Sequence, residues 1–94
     1  MYLVNEEWHG TIAVVSNPFK TVDWLLDNGW LDVNSNGSDG EKEFKLWEII
    51  GSTKEELEEK QYLIVNYFNS MNLGMLFEQL EMFGFYFQEI EEIR

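Results

Sequence analysis

Apolar positions recur along this chain at two periods, close to two in some stretches and between three and four in others, and the switches between them mark its elements. Met1 to Val4 and Thr11 to Val15 read as two strands joined around Glu6-Glu7-Trp8-His9-Gly10. Val14 and Val15 favour extended backbone because their branched side chains restrict χ1. Asn17-Pro18 follows as an N-cap with proline at the first helical position. Phe19, Val22, Leu25 and Leu26 then repeat at helical spacing, and Gly29 provides a stop after Asn28.

Trp30 to Val33 predicts a short strand, and Asn34-Ser35-Asn36-Gly37-Ser38-Asp39-Gly40 a turn or loop. Across Glu43 to Ile50, Phe44 and Leu46 alternate as in a strand, whereas Leu46, Trp47, Ile49 and Ile50 would also cover a helix. The strand reading is preferred. Ser52 with Glu55, and Thr53 with Glu56, both match a capping box, and Leu57, Gln61, Ile64, Phe68 and Met71 continue at intervals of three or four. One long helix to about Ser70 is expected. Asn72 can cap another helix that carries Leu73, Leu76, Phe77, Leu80 and Phe83 on one face and ends at Gly84, after which Phe85 to Ile93 reads as a final strand. The expectation is a single α+β domain over residues 1–94, roughly ββαββααβ, with a small mixed sheet packed against about three helices.

Composition supports a folded core. Leu, Ile, Val and Phe number 29 of the 94 residues, and aromatic residues make up 16%. That is far above the composition of a disordered chain. Cysteine is absent, so disulfides and thiolate metal sites are excluded and a reducing, cytoplasmic compartment is expected. The amino-terminal residues lack the basic stretch and apolar run of a signal peptide, and no apolar run approaches a membrane span.

Charge changes the picture most. Eighteen acids against six bases leave a net −12, whereas solubility of a small domain needs a magnitude of only about 2 to 8. Such a surface repels nucleic acid and anionic membranes and attracts a basic protein, whose approach it would steer. The acids are clustered: Glu55, Glu56, Glu58 and Glu59 in one helix, Glu78 and Glu81 in the next, Glu89, Glu91 and Glu92 on the last strand, and Asp39, Glu41 and Glu43 around the central loop. Carboxylates three or four apart on a helix stand about 5 to 6 Å apart at Cβ, and alternate ones on a strand about 6.7 Å. Both spacings are of the order of the separation between neighbouring phosphates, so these twelve residues are the expected partner-binding set. A solvated face is the competing reading of the same charges.

Catalytic chemistry has little to draw on. His9 is the sole histidine, beside a turn glycine, and there is no thiol nucleophile or glycine-rich phosphate loop. Neither an enzyme nor a cofactor is expected. Trp24, Trp30, Trp47, Tyr62, Tyr67 and Phe68 read as core, while Phe83, Phe85, Tyr86 and Phe87 exceed what one small core requires and suggest a homodimer interface.

Asp32, Asn34, Asn36, Gly37, Ser38 and Glu43 resemble the calcium loop of EF-hand proteins, which makes a calcium module the alternative function. The resemblance implies side-chain oxygens from Asp32, Asn34 and Asn36, a carbonyl from Ser38 and a bidentate Glu43. The sequence departs from it at Asp39, where the family carries an apolar residue, and at Gly29, which interrupts the helix that should lead in. The general character of the chain (small, cysteine-free, strongly acidic, rich in aromatics) resembles phage-encoded DNA-mimic inhibitors of the antirestriction, anti-CRISPR and HU-inhibitor types, as well as acidic immunity proteins of nucleases. That resemblance carries no shared motif. It implies host takeover by stoichiometric occlusion of a basic protein's DNA-binding surface.

Overall fold

The computed structural model describes residues 1–91. Strands β1 (Tyr2–Glu6) and β2 (Gly10–Val15) form a hairpin, and a 3-10 turn (Pro18–Lys20) leads into helix α1 (Thr21–Asp27). Strands β3 (Asn36–Ser38) and β4 (Glu43–Lys45) form a second hairpin. Helices α2 (Leu46–Ile50), α3 (Lys54–Glu59), α4 (Tyr62–Asn69) and α5 (Leu73–Met82) follow, and strand β5 (Phe85–Glu89) closes the series. The fold is α+β. Both sheets are antiparallel, one of three strands in the order β2-β1-β5 and one of two, β3-β4, so the single mixed sheet expected from the sequence is not formed.

Local signals explain most boundaries. The Asn17 side chain accepts a hydrogen bond from Phe19 N (3.1 Å), as a cap before Pro18 should. Thr53 accepts from Glu56 N (3.2 Å) and Asn72 from Met75 N (2.9 Å), starting α3 and α5. At Glu43 to Ile50 the strand reading and the helix reading each hold for half the segment: the chain is extended to Lys45 and helical from Leu46.

Three expectations fail for identifiable reasons. Trp30 to Val33 is not a strand. Gly29, at φ +75°, ends α1 with its own N–H on Leu26 O (3.3 Å) and Trp30 N–H on Leu25 O (2.9 Å), so the chain wraps the helix end. Leu31 and Val33 enter the core from that wrap. The segment 34–40 is not all loop, because Gly37 pairs with Phe44 in the second hairpin. The long helix breaks at Lys60 and Gln61 into α3 and α4. Glu55, Glu56, Glu58 and Glu59 repel one another across the turns of α3, and Glu58 and Glu59 oppose the helix dipole at its carboxyl end.

The core lies between the helices and one face of the larger sheet. Val22, Leu25, Leu46, Leu57, Ile64, Phe68, Leu76 and Leu80 are fully buried. Tyr2 and Phe87 pack on Phe77 of α5, with ring centroids 5.7 and 4.7 Å away. Trp24, Trp30, Trp47 and Tyr67 pack partly buried against this core, but Tyr62, expected there, is exposed. Of the aromatic run 83–87, Phe83, Phe85 and Phe87 face inward and only Tyr86 is exposed.

Candidate functional site

Every predicted partner-binding carboxylate within the described residues is exposed: Asp39, Glu41, Glu43, Glu55, Glu56, Glu58, Glu59, Glu78, Glu81, Glu89 and Glu91. Glu92 lies outside the described residues. Bases do not neutralise this set. Among the described residues, a single lysine approaches a carboxylate within 4.0 Å, Lys54 at Glu58 on α3, and an exposed pair at that distance contributes little.

Packing gathers part of the set. Asp39 from the second hairpin, Glu78 and Glu81 from α5, and Tyr86 from β5 line one open groove of about 610 Å³. Ser38 and Met82, also on its wall, are shared with an adjoining groove of about 300 Å³ that holds Glu43 and Glu7. Five carboxylates from three segments, the second hairpin, α5 and the β1–β2 turn, therefore line two neighbouring grooves that share Ser38 and Met82. Glu7 was not singled out in the sequence, where it reads as a turn residue between strands. It arrives because Glu7 N–H bonds Gly84 O (3.0 Å), tying the β1–β2 turn to the end of α5.

The remaining predicted residues stand elsewhere. Glu55, Glu56, Glu58 and Glu59 belong to α3, which lines neither groove. Glu89 sits opposite Tyr2 at the far end of β5, four residues and about 13 Å from the groove end of that strand. Glu41, between β3 and β4, and Glu91, beyond the end of β5, line neither groove, so the acidic set does not form one row.

Two carboxylates are locked into turns. Asp39 Oδ1 accepts from Glu41 N (2.9 Å) and Lys42 N (2.8 Å). These backbone donors, Lys42 first, hold its carboxyl below the usual aspartate range. Glu6 accepts from Trp8 N (3.1 Å) and from the His9 ring. Partial burial works upward on Glu6, but the bonds from His9 and Trp8, together with the His9 charge, leave its carboxyl lowered overall. His9 is therefore a turn residue, with its ring edge-on to Trp30 at 5.1 Å.

The segment 32–43 does not form a calcium loop. Asp32 Oδ1 turns back onto Asn34 N (2.6 Å), and Asn36 to Ser38 pair with β4 instead of wrapping a central point. Strand β4, not a helix, begins at Glu43. Among the described residues no group of three or more histidine, aspartate or glutamate side chains is placed to hold a metal ion. No described helix is long and apolar enough to cross a membrane. Comparison of the chain with protein-family models, with curated proteins and with solved structures found no match.

Proposed function

We propose that this protein is an acidic binding protein that occupies the DNA-binding surface of a basic protein, of nucleoid HU-like or nuclease type, and blocks its access to DNA. The observation that carries the reading is the exposed carboxylate set left almost without bases of its own, with Asp39, Glu78 and Glu81 lining one groove and Glu43 and Glu7 its neighbour. Lysine and arginine side chains that otherwise contact phosphates would enter there. Tyr86, 41% exposed at the rim, offers a ring against which a guanidinium can stack. The protein acts by occupancy, so no catalytic group is required.

Titration calorimetry against purified HU-like proteins and nucleases tests the proposal. The expected result is a stoichiometric complex that weakens steeply between ~50 and ~200 mM salt, as charge-dominated association does. Absence of binding across that panel, or binding indifferent to salt, would reject it.

A further inference from the structure

Between α1 and α4 runs a groove of about 220 Å³ that shares no lining residue with the two acidic grooves described above. Its apolar lining comes from Leu26 of α1 and Val65 of α4. Asp23 and Asp27, both exposed, stand one turn apart on the α1 side, which places their Cβ atoms about 5 to 6 Å apart. Among the described residues no base comes within 4.0 Å of either carboxylate, neither Lys20 at the start of α1 nor Lys60 before α4. Two placements here run against local preference. Asp27 is the last residue of α1, where the negative end of the helix dipole disfavours a carboxylate and no basic residue offsets it. Tyr62 opens α4 with 59% of its surface exposed, although Ile64 and Phe68 of the same helix are fully buried. Packing accounts for neither, and both line this groove. Positions that break local rules without a structural return are where function is expected.

We infer that this groove receives an arginine side chain projecting from a basic partner protein. Its volume is below the ~300 Å³ at which pockets for drug-sized ligands begin, so it suits a single side chain rather than a free small molecule. Each part of the lining answers a part of arginine. Leu26 and Val65 take the aliphatic stem. The carboxylates of Asp23 and Asp27 accept from the guanidinium fork, and the side-chain carbonyls of Gln61 and Asn66, across the groove on α4, accept from its remaining N–H groups. The Tyr62 ring offers a face for the planar cation to stack on. Lysine would keep the charge but lose the fork and the stacking, and an acidic or apolar side chain would leave two carboxylates unpaired. This inference does not rest on the proposed function, because the groove is a different one and an arginine on any basic surface would serve.

Titration of the isotope-labelled full chain with the capped peptide Gly-Arg-Gly, followed by amide chemical shifts, tests it, with capped Gly-Lys-Gly as the comparison. Shifts along Asp23 to Asp27 and Gln61 to Asn66 are expected to move and saturate with the arginine peptide, and to require about tenfold more of the lysine peptide. Asp27→Asn removes a carboxylate that the helix dipole opposes, so its thermal midpoint is expected to match or exceed the wild type while arginine binding weakens about tenfold. Tyr62→Ala, at an exposed position, is expected to weaken it about threefold. Arginine-induced shifts that leave α1 and α4 unmoved, or equal saturation by the two peptides, overturn the inference. So does arginine binding that both variants leave intact. None of these results depends on whether the protein displaces DNA from a target.

Discussion

Phe83, immediately after α5, meets Phe44 of β4 edge-on, with ring centroids 5.9 Å apart and planes at 74°. Gly37 of β3 lies against both rings. A Cβ added there would stand 2.6 Å from Phe44 Cε2 and 2.8 Å from Phe83 Cε1, closer than packed atoms approach. This contact seats the second hairpin on the end of α5, and the hairpin carries Asp39 to the groove that Glu78 and Glu81 line. Gly37→Ala is therefore expected to destabilise the fold by about 1–3 kcal/mol, read as a fall in thermal midpoint of roughly 4–8 °C per kcal/mol. Adding Phe44→Leu to Gly37→Ala should cost less than the two substitutions sum to, because the smaller side chain removes the closest clash. Full additivity would show that this contact does not seat the hairpin.

Thr21, at the start of α1, is fully buried and its hydroxyl has no hydrogen-bond partner among the described residues. Burying a hydroxyl unpaired costs free energy that an apolar isostere avoids. Thr21→Val is expected to raise stability by about 1 kcal/mol in urea denaturation, with no change in the slope of the transition. A loss of stability would mean that the hydroxyl is bonded in solution.

Salt should stabilise this protein. Among the described residues a single lysine–carboxylate contact, the marginal Lys54–Glu58, falls within 4.0 Å, so there is little attraction to screen and much repulsion. Raising salt from ~0.01 to ~1 M shortens the screening length from about 30 to about 3 Å. The thermal midpoint is expected to rise over that range, and a fall would contradict the charge distribution described above.

Asp39 sets a low-pH limit on the second hairpin. Its carboxyl titrates below its unfolded value of about 3.9, so the stability it contributes is present above that pH and is lost as pH falls through the depressed folded value. Asp39→Asn should be less stable than wild type at pH 7, and the difference should vanish below the folded pKa. A difference that persists at the lowest pH would assign the effect to something other than the charge on Oδ1.

The sequence made capped starts legible, because a cap is a local device. Asn17, Thr53 and Asn72 each bond the backbone two or three residues on, as their identities imply. It was misleading where tertiary contacts override local pattern. Leu31 and Val33 alternate like a strand but are drawn into the core by the wrap that Gly29 starts. Leu57, Ile64 and Phe68 keep helical spacing although α3 and α4 are separate helices. The exposure of the carboxylates followed from their type. Which of them line the two neighbouring grooves did not, because Asp39, Glu43 and Glu7 reach those grooves through two turns and the seat under Phe83, contacts distant in sequence.

The groove carboxylates should dominate long-range steering. Glu78→Gln with Glu81→Gln, both exposed and free of described salt bridges, is expected to leave stability unchanged and to slow association with a basic DNA-binding partner ~10-fold at low salt. An unchanged association rate in stopped-flow fluorescence would remove this groove from the encounter surface.

Displacement of DNA tests the central claim most directly. A fluorescently labelled duplex is bound to an HU-like protein at low salt, and this protein is titrated in while anisotropy is followed. The account predicts that the duplex is released completely at a fixed molar ratio of protein to target. Anisotropy that stays at its bound value through a large excess, for every DNA-binding protein that forms a complex with this chain, would contradict it.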